Sequence, residues 1–133
     1  MSRGKIRTRR WNDPVQPDDG ARILVTRYRP RGVRAEDETW SEWWKELAPT
    51  VELHAAAYGK GQAVLDRDAY VRRYLGELAR DARAQYVLRG MVSRIAGGED
   101  VTLLCSSACV DETRCHRTLL RDLVTRSIDD MRT

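Results

Sequence analysis

VTLLC at residues 101–105, the polar SSACVDET at 106–113 and the cluster RCHR at 114–117 form the stretch on which the reading of this chain turns. A short apolar run that stops at a cysteine and crosses a polar loop into a periodic segment is the pattern of a buried strand leading into a helix. That helix is expected from about Thr113, with Leu119, Leu120, Leu123, Val124 and Ile128 on its inner face. ARILVTRY at 21–28 reads as a second strand, in which Ile23, Leu24 and Val25 run together before Pro30 and Gly32 turn the chain. The long helical passage between the two strands predicts that they lie parallel in one sheet. Parallel strands share a carboxyl edge, where open α/β folds take their ligands. The loop RPRGVR at 29–34 is therefore expected to face the RCHR cluster.

Three chemistries compete for that edge. Cys105, Cys109, Cys115 and His116 are metal-ligand types, but their spacing, C-x3-C-x5-C-H, departs from the paired knuckles of structural zinc. Neighbours on a helix also project about 100° apart. No metal and no cofactor are expected. The second chemistry is thiol catalysis, because a helix start beside Arg or His lowers a thiol's pKa. Cys115, with Cys105 at the strand end and His116 as acid or base, supplies the catalytic candidates. Cys109 precedes Arg114 by one residue too few for the cysteine-phosphatase loop, which wraps a phosphate in successive amides.

The third chemistry is anion binding. A strand, a loop and a helix start present unpaired backbone donors. Arg114, His116 and Arg117 would oppose the helix dipole there unless something negative binds. Arg27, Arg29, Arg31 and Lys45 are the partners expected from the neighbouring segments. The bland alternative is that Asp111 and Glu112 neutralise this end and the cysteines are ordinary buried thiols. The expectation carried forward is a binder of a small anionic, phosphate-bearing ligand at the strand carboxyl ends. Whether it is an enzyme, with His116 as acid or base, stays open.

The net charge of +4 first suggests nucleic acid, but it is concentrated at one end. Residues 1–10 hold Arg3, Lys5, Arg7, Arg9 and Arg10 and no acid, which leaves 19 basic against 20 acidic side chains over residues 11–133. A nucleic-acid-binding or regulatory module that uses this segment as a clamp is the alternative function. The segment 1–11 reads as a basic strand or arm, closed by the turn NDPVQPDDG at 12–20. At 133 residues the chain is expected to form one α/β domain, 1–133, with a sheet of few strands flanked by helices. No apolar window approaches the ~18 residues of a membrane span. The N-terminus lacks a secretory apolar stretch, and three cysteines are an odd number, so a cytoplasmic protein with reduced thiols is expected.

Between the strands, Thr39-x-x-Glu42 has the form of a capping box. It predicts a helix with Trp40, Trp43, Trp44 and Leu47 on one buried face. A short helix is expected over 50–58, and a long one from Asp66 with Tyr70, Val71, Tyr74, Leu75 and Leu78 inside. It continues or restarts near Gln85, with Leu88, Met91, Val92 and Ile95 inside, and stops at Gly97-Gly98.

GARILVTRYRPRG (20–32), WKELAPTVEL (44–53), the Tyr70–Leu78 helix and VTLLCSSACVDETRCHRTLL (101–120) together resemble the YeaO-like proteins, a bacterial family catalogued as domain of unknown function 488. The resemblance runs from about residue 4 to 124, with the motifs in order. It implies a small α/β fold, with a parallel or mixed sheet. Arg27, Pro30, Arg31 and Gly32 match the family's strand-end segment, and Cys115, His116 and Arg117 match its Cys-His-Arg. Thr26, Arg29 and His54 depart from the usual residues.

Overall fold

Four parallel strands are laid down in the spatial order β1-β4-β2-β3. They are β1 (Ile6–Arg10), β2 (Ala21–Leu24), β3 (Glu42–Trp43) and β4 (Val101–Cys105). The helices are α1 (Val51–Ala57), α2 (Arg67–Arg80), α3 (Ala82–Ala96) and α4 (His116–Asp130). This computed structural model describes residues 2–59, 64–109 and 115–131.

The central strand β4 is buried at all five positions, as its continuous apolar run predicts. Its register sets Val101 beside Ile6 and Ala21, and Leu103 beside Thr8 and Ile23. Successive side chains alternate between the faces of a sheet. Val101, Leu103 and Ile23 thus share one face and join a single apolar cluster with Tyr74, Leu88, Ile95, Leu120 and Val124 from the helices. The expected parallel pairing of β2 with β4 is present. β2 is shorter than read: its ladder ends at Leu24, and Val25 adds one bond to the Leu104 carbonyl at 3.0 Å.

The opposite face carries charge. Asp19 and Arg22, only 1% and 4% exposed, form an ion pair at 2.5 Å. Arg9 of β1 donates to the second Asp19 oxygen at 3.0 Å, and Thr102 of β4 donates to the Asp19 backbone carbonyl at 2.7 Å. One residue of the proline-rich turn therefore ties three strands together, β1 and β2 through its carboxylate and β4 through its backbone carbonyl.

The helices around the core follow local signals. Thr50 caps α1 by accepting from the Leu53 amide, and Asp66 caps α2 by accepting from the Asp68 amide. Asp81 closes α2 and caps α3, and α3 stops at Gly97-Gly98, where Gly98 takes a φ of 109°.

The helix expected from Thr39 is absent. Its residues instead pair with the free edge of β2: the Ser41 amide donates to Arg22 O at 2.9 Å and the Trp44 amide to Leu24 O at 2.9 Å. Only a one-turn 3-10 helix, Lys45–Leu47, follows. Thr39 caps nothing; its hydroxyl donates to the Trp11 carbonyl, and its own carbonyl accepts from Arg22 Nε at 2.7 Å. A bare strand edge leaves a row of polar groups to satisfy, and satisfying it outweighs the weak helix preference of a short segment. The tryptophans consequently do not form one buried face. Trp44 packs on the core, Trp43 is 37% exposed and donates to Thr26 O, and Trp40 meets Trp11 edge-on.

Candidate functional site

β4 delivers Cys105 to the carboxyl edge of the sheet, on the same face as Val101 and Leu103. A turn then brings the chain back: the Cys109 amide donates to Ser106 O at 3.0 Å, and the Ala108 amide to Ser106 Oγ at 3.1 Å. Cys115 stands at the cap position of α4 in extended backbone, φ −98° and ψ 147°, so it is not yet on the helical spiral. This geometry brings the three sulfurs together within 4.8 Å of one another, with Cys105 and Cys115 only 3.2 Å apart. All three residues are buried.

The spacing of the cysteines concealed this convergence. Cys115 precedes the helix, so the 100° spacing of helical neighbours does not separate it from His116; Cys105 and Cys109 arrive from a strand and a loop.

Hydrogen bonds from the Cys105 and Cys115 thiols hold the Cys109 thiol well below its ordinary range. Burial opposes this shift, and the Arg117 charge supports it. The Cys105 thiol is pushed up by the same bonds and by its burial. A negative charge on one sulfur disfavours a second at this range.

His116 is the first residue of α4 and is buried. Its Nε2 lies 2.8 Å from the Val25 carbonyl, which can only accept, so Nε2 carries the proton. Nδ1 then presents a lone pair, 3.8 Å from Cys115 Sγ. The ring stands edge-on to Tyr74, centroids 5.7 Å apart. Burial pushes its pKa down to about 4, so the imidazole is neutral near pH 7. The ring is enclosed, with Val25 and Tyr74 as its neighbours.

Arg117 is 3% exposed, a rare setting for a guanidinium. Its Nη2 donates to Cys109 O at 3.3 Å. Its Nε and Nη1 have no partner among the described residues. The first turn of α4 contains no acid among the described residues, and Cys115 makes no side-chain cap.

The other expected ligand-binding residues lie elsewhere or are engaged. Arg27 donates through Nε to Pro49 O at 3.0 Å. With Lys45, Arg80 and Arg83 it lines an open groove of about 760 Å³, whose lining includes neither His116 nor Arg117. Glu46, Glu77 and Asp81 share that groove, so its charge is mixed. Arg29 pairs with Glu38 at 2.7 Å and stacks on Trp40. Arg31 is exposed. Arg114 lies outside the described residues, as do Asp111, Glu112 and Thr113, the expected helix start.

The basic N-terminal segment is a strand, and its charges are largely paired. Arg3 meets Asp129, Arg7 meets Asp18 at 3.0 Å, Arg9 meets Asp19, and Arg10 meets Asp13 at 3.2 Å. Lys5 is exposed. No helix among the described residues is long and apolar enough to cross a membrane.

Residues 6–127 match the profile of a family described as the "Active DUF488-N3 subclade". The chain is 36% identical over 118 residues to the uncharacterised protein YeaO of Escherichia coli (strain K12), covering 88% of this chain and 94% of that protein. It is 33% identical over 90 residues to uncharacterised proteins of Mycobacterium tuberculosis and Mycobacterium bovis, covering 68% of this chain and 73% of each relative. No solved structure gives a significant match.

Proposed function

The chain belongs to the YeaO-like DUF488 family of bacterial proteins, and from that premise we propose that it binds a small anion at the carboxyl ends of its parallel strands, with Arg117 as the anchor. The observation that carries the reading is the buried Arg117 guanidinium with two N–H groups unpartnered among the described residues. A buried donor left unsatisfied costs about 1–3 kcal/mol, more when it is charged. A phosphate or carboxylate oxygen would remove that penalty through paired, charge-assisted bonds. The amino end of α4 adds its dipole to the attraction. His116 serves as a positioning residue, its ring fixed between Val25 and Tyr74. The family description "active" is compatible with chemistry at this edge.

The nucleic-acid alternative draws less support. Four of the five N-terminal cations already have carboxylate partners, whereas phosphodiester binding needs a continuous run of available charge.

The test is a thermal-shift screen at constant ionic strength, with chelator-treated, reduced protein and inorganic phosphate, sugar phosphates, nucleotides and dicarboxylates. A ligand at a hundred times its Kd should stabilise the wild type by about 2.7 kcal/mol. Arg117→Met should abolish that shift. The absence of any shift in the wild type, or its survival in Arg117→Met, refutes the reading.

A further inference from the structure

We propose that Cys105, Cys109 and Cys115 form a three-sulfur binding site for a thiophilic cation of the zinc class. This goes beyond the anion reading and stands on separate atoms. The three Sγ atoms lie within 4.8 Å of one another, and Cys105 and Cys115 are 3.2 Å apart. With zinc–sulfur bonds of about 2.3 Å, ligands at tetrahedral corners stand about 3.8 Å apart. The Cys105–Cys115 pair, at 3.2 Å, needs to open by roughly half an ångström to reach that value, and no pair is separated by more than 4.8 Å.

The surroundings favour the same class of ion. Three sulfurs and no clustered carboxylate among the described residues select a soft cation over magnesium or calcium. Three thiolates around a dication carry one net negative charge, and the buried Arg117 offsets it from the same end of α4. His116 has the arrangement usual beside metal centres: one ring nitrogen donates to a backbone carbonyl, 2.8 Å away at Val25, and the other faces the cysteine side. The sulfurs come from a strand end, a turn and a helix cap, so one ion would tie three elements together. A disulfide between Cys105 and Cys115 is the rival use of the close pair; it would leave Cys109 out.

The full chain, reduced, chelator-treated and free of added anions, is titrated with Co2+ and then with Zn2+. Binding predicts a sulfur-to-cobalt charge-transfer absorption that saturates at one ion per chain and vanishes when Zn2+ displaces the cobalt. Because the three thiols are buried, an aromatic disulfide reagent should modify them slowly in the metal-free native chain and several-fold more slowly once Zn2+ is bound. Cys105→Ala, Cys109→Ala and Cys115→Ala should each weaken Zn2+ binding beyond the roughly 10–100-fold lost when an outer-shell partner is removed. Should those variants misfold, the wild-type spectrum and thiol protection still decide the matter. Arg117→Met should lose the anion shift altogether, whereas the cobalt band should still form, at a weaker affinity because the offsetting charge is gone; the two readings therefore fail separately. The proposal is overturned by the absence of a charge-transfer band, by thiols equally reactive with Zn2+, or by cysteine variants that bind unchanged. If the metal-free chain, oxidised with a disulfide such as oxidised glutathione that is itself reduced to two thiols, falls from three thiols to one on counting in denaturant and no longer takes up Co2+, the close pair is used as a disulfide and the metal reading is overturned.

Discussion

Asp19→Ala should be among the most damaging single substitutions in this protein. The carboxylate is 1% exposed and accepts from Arg22 at 2.5 Å, from Arg9 at 3.0 Å and from the Gln16 amide at 3.0 Å. Truncating it leaves the Arg22 charge, itself 4% exposed, without its counter-ion. Breaking a buried pair in this way costs about 3–5 kcal/mol. Arg22 keeps the Thr39 and Asp13 carbonyls at 2.7 and 3.0 Å, which places the loss toward the lower end. Against a total stability of about 5–15 kcal/mol, that is a large fraction. Urea unfolding at pH 7, followed by tryptophan fluorescence, measures it. The double variant Asp19→Ala/Arg22→Met should recover part of the loss, because no buried charge remains unpaired. Burial works to raise the Asp19 pKa, but the Gln16, Arg22 and Arg9 donors outweigh it and hold the carboxyl below its usual value. The unfolded chain therefore takes up this proton first as pH falls. The stabilisation is complete above the ordinary carboxylate range and is lost as pH drops through the lower folded value. Asp19→Asn should flatten that acid limb. An unchanged urea midpoint for Asp19→Ala, or strictly additive losses in the double variant, would refute the reasoning.

Arg117→Met, compared with wild type without ligand or metal, should be no less stable and by as much as ~1–3 kcal/mol more stable, because unsatisfied donors leave the interior; a urea midpoint well below wild type would make Arg117 a structural residue. Gly20→Ala should destabilise the fold, since Gly20 sits at φ +64° and a Cβ would come within 2.2 Å of the Asp100 carbonyl oxygen; differential scanning calorimetry reads the loss. Deleting residues 1–10 removes β1 and uncovers one edge of β4; circular dichroism should show loss of the fold rather than a stable truncated protein with weaker nucleic-acid affinity.

The central strand was legible because its pattern and its environment agree. VTLLC is apolar at nearly every position and is buried on both faces. The same consistency made the apolar stripes of α2 and α3 readable, while the break between them, left open by the sequence, is set by Asp81, which caps α3. The 39–48 segment misled for the opposite reason. Its Thr-x-x-Glu signal and tryptophan spacing are local, and the edge of β2 supplied partners that no local pattern encodes. Asp19 read as a turn residue because nothing in NDPVQPDDG shows that Arg9, Arg22 and Thr102 converge on it.

By itself, the sequence determined β2, β4 and the helices α1 to α4, because hydrophobic period and capping act over a few neighbouring residues. It also determined family membership, which rests on ordered motifs along the chain. Only the tertiary structure decided which side chains meet. It drew Cys105, Cys109 and Cys115 together, buried Arg117 behind them, and sent Arg27 and Lys45 to a separate groove. Such meetings depend on strand order and on where a loop returns the chain, and both are properties of the packed whole: a sulfur on β4 and another at the cap of α4 become neighbours only once that helix lies on the sheet.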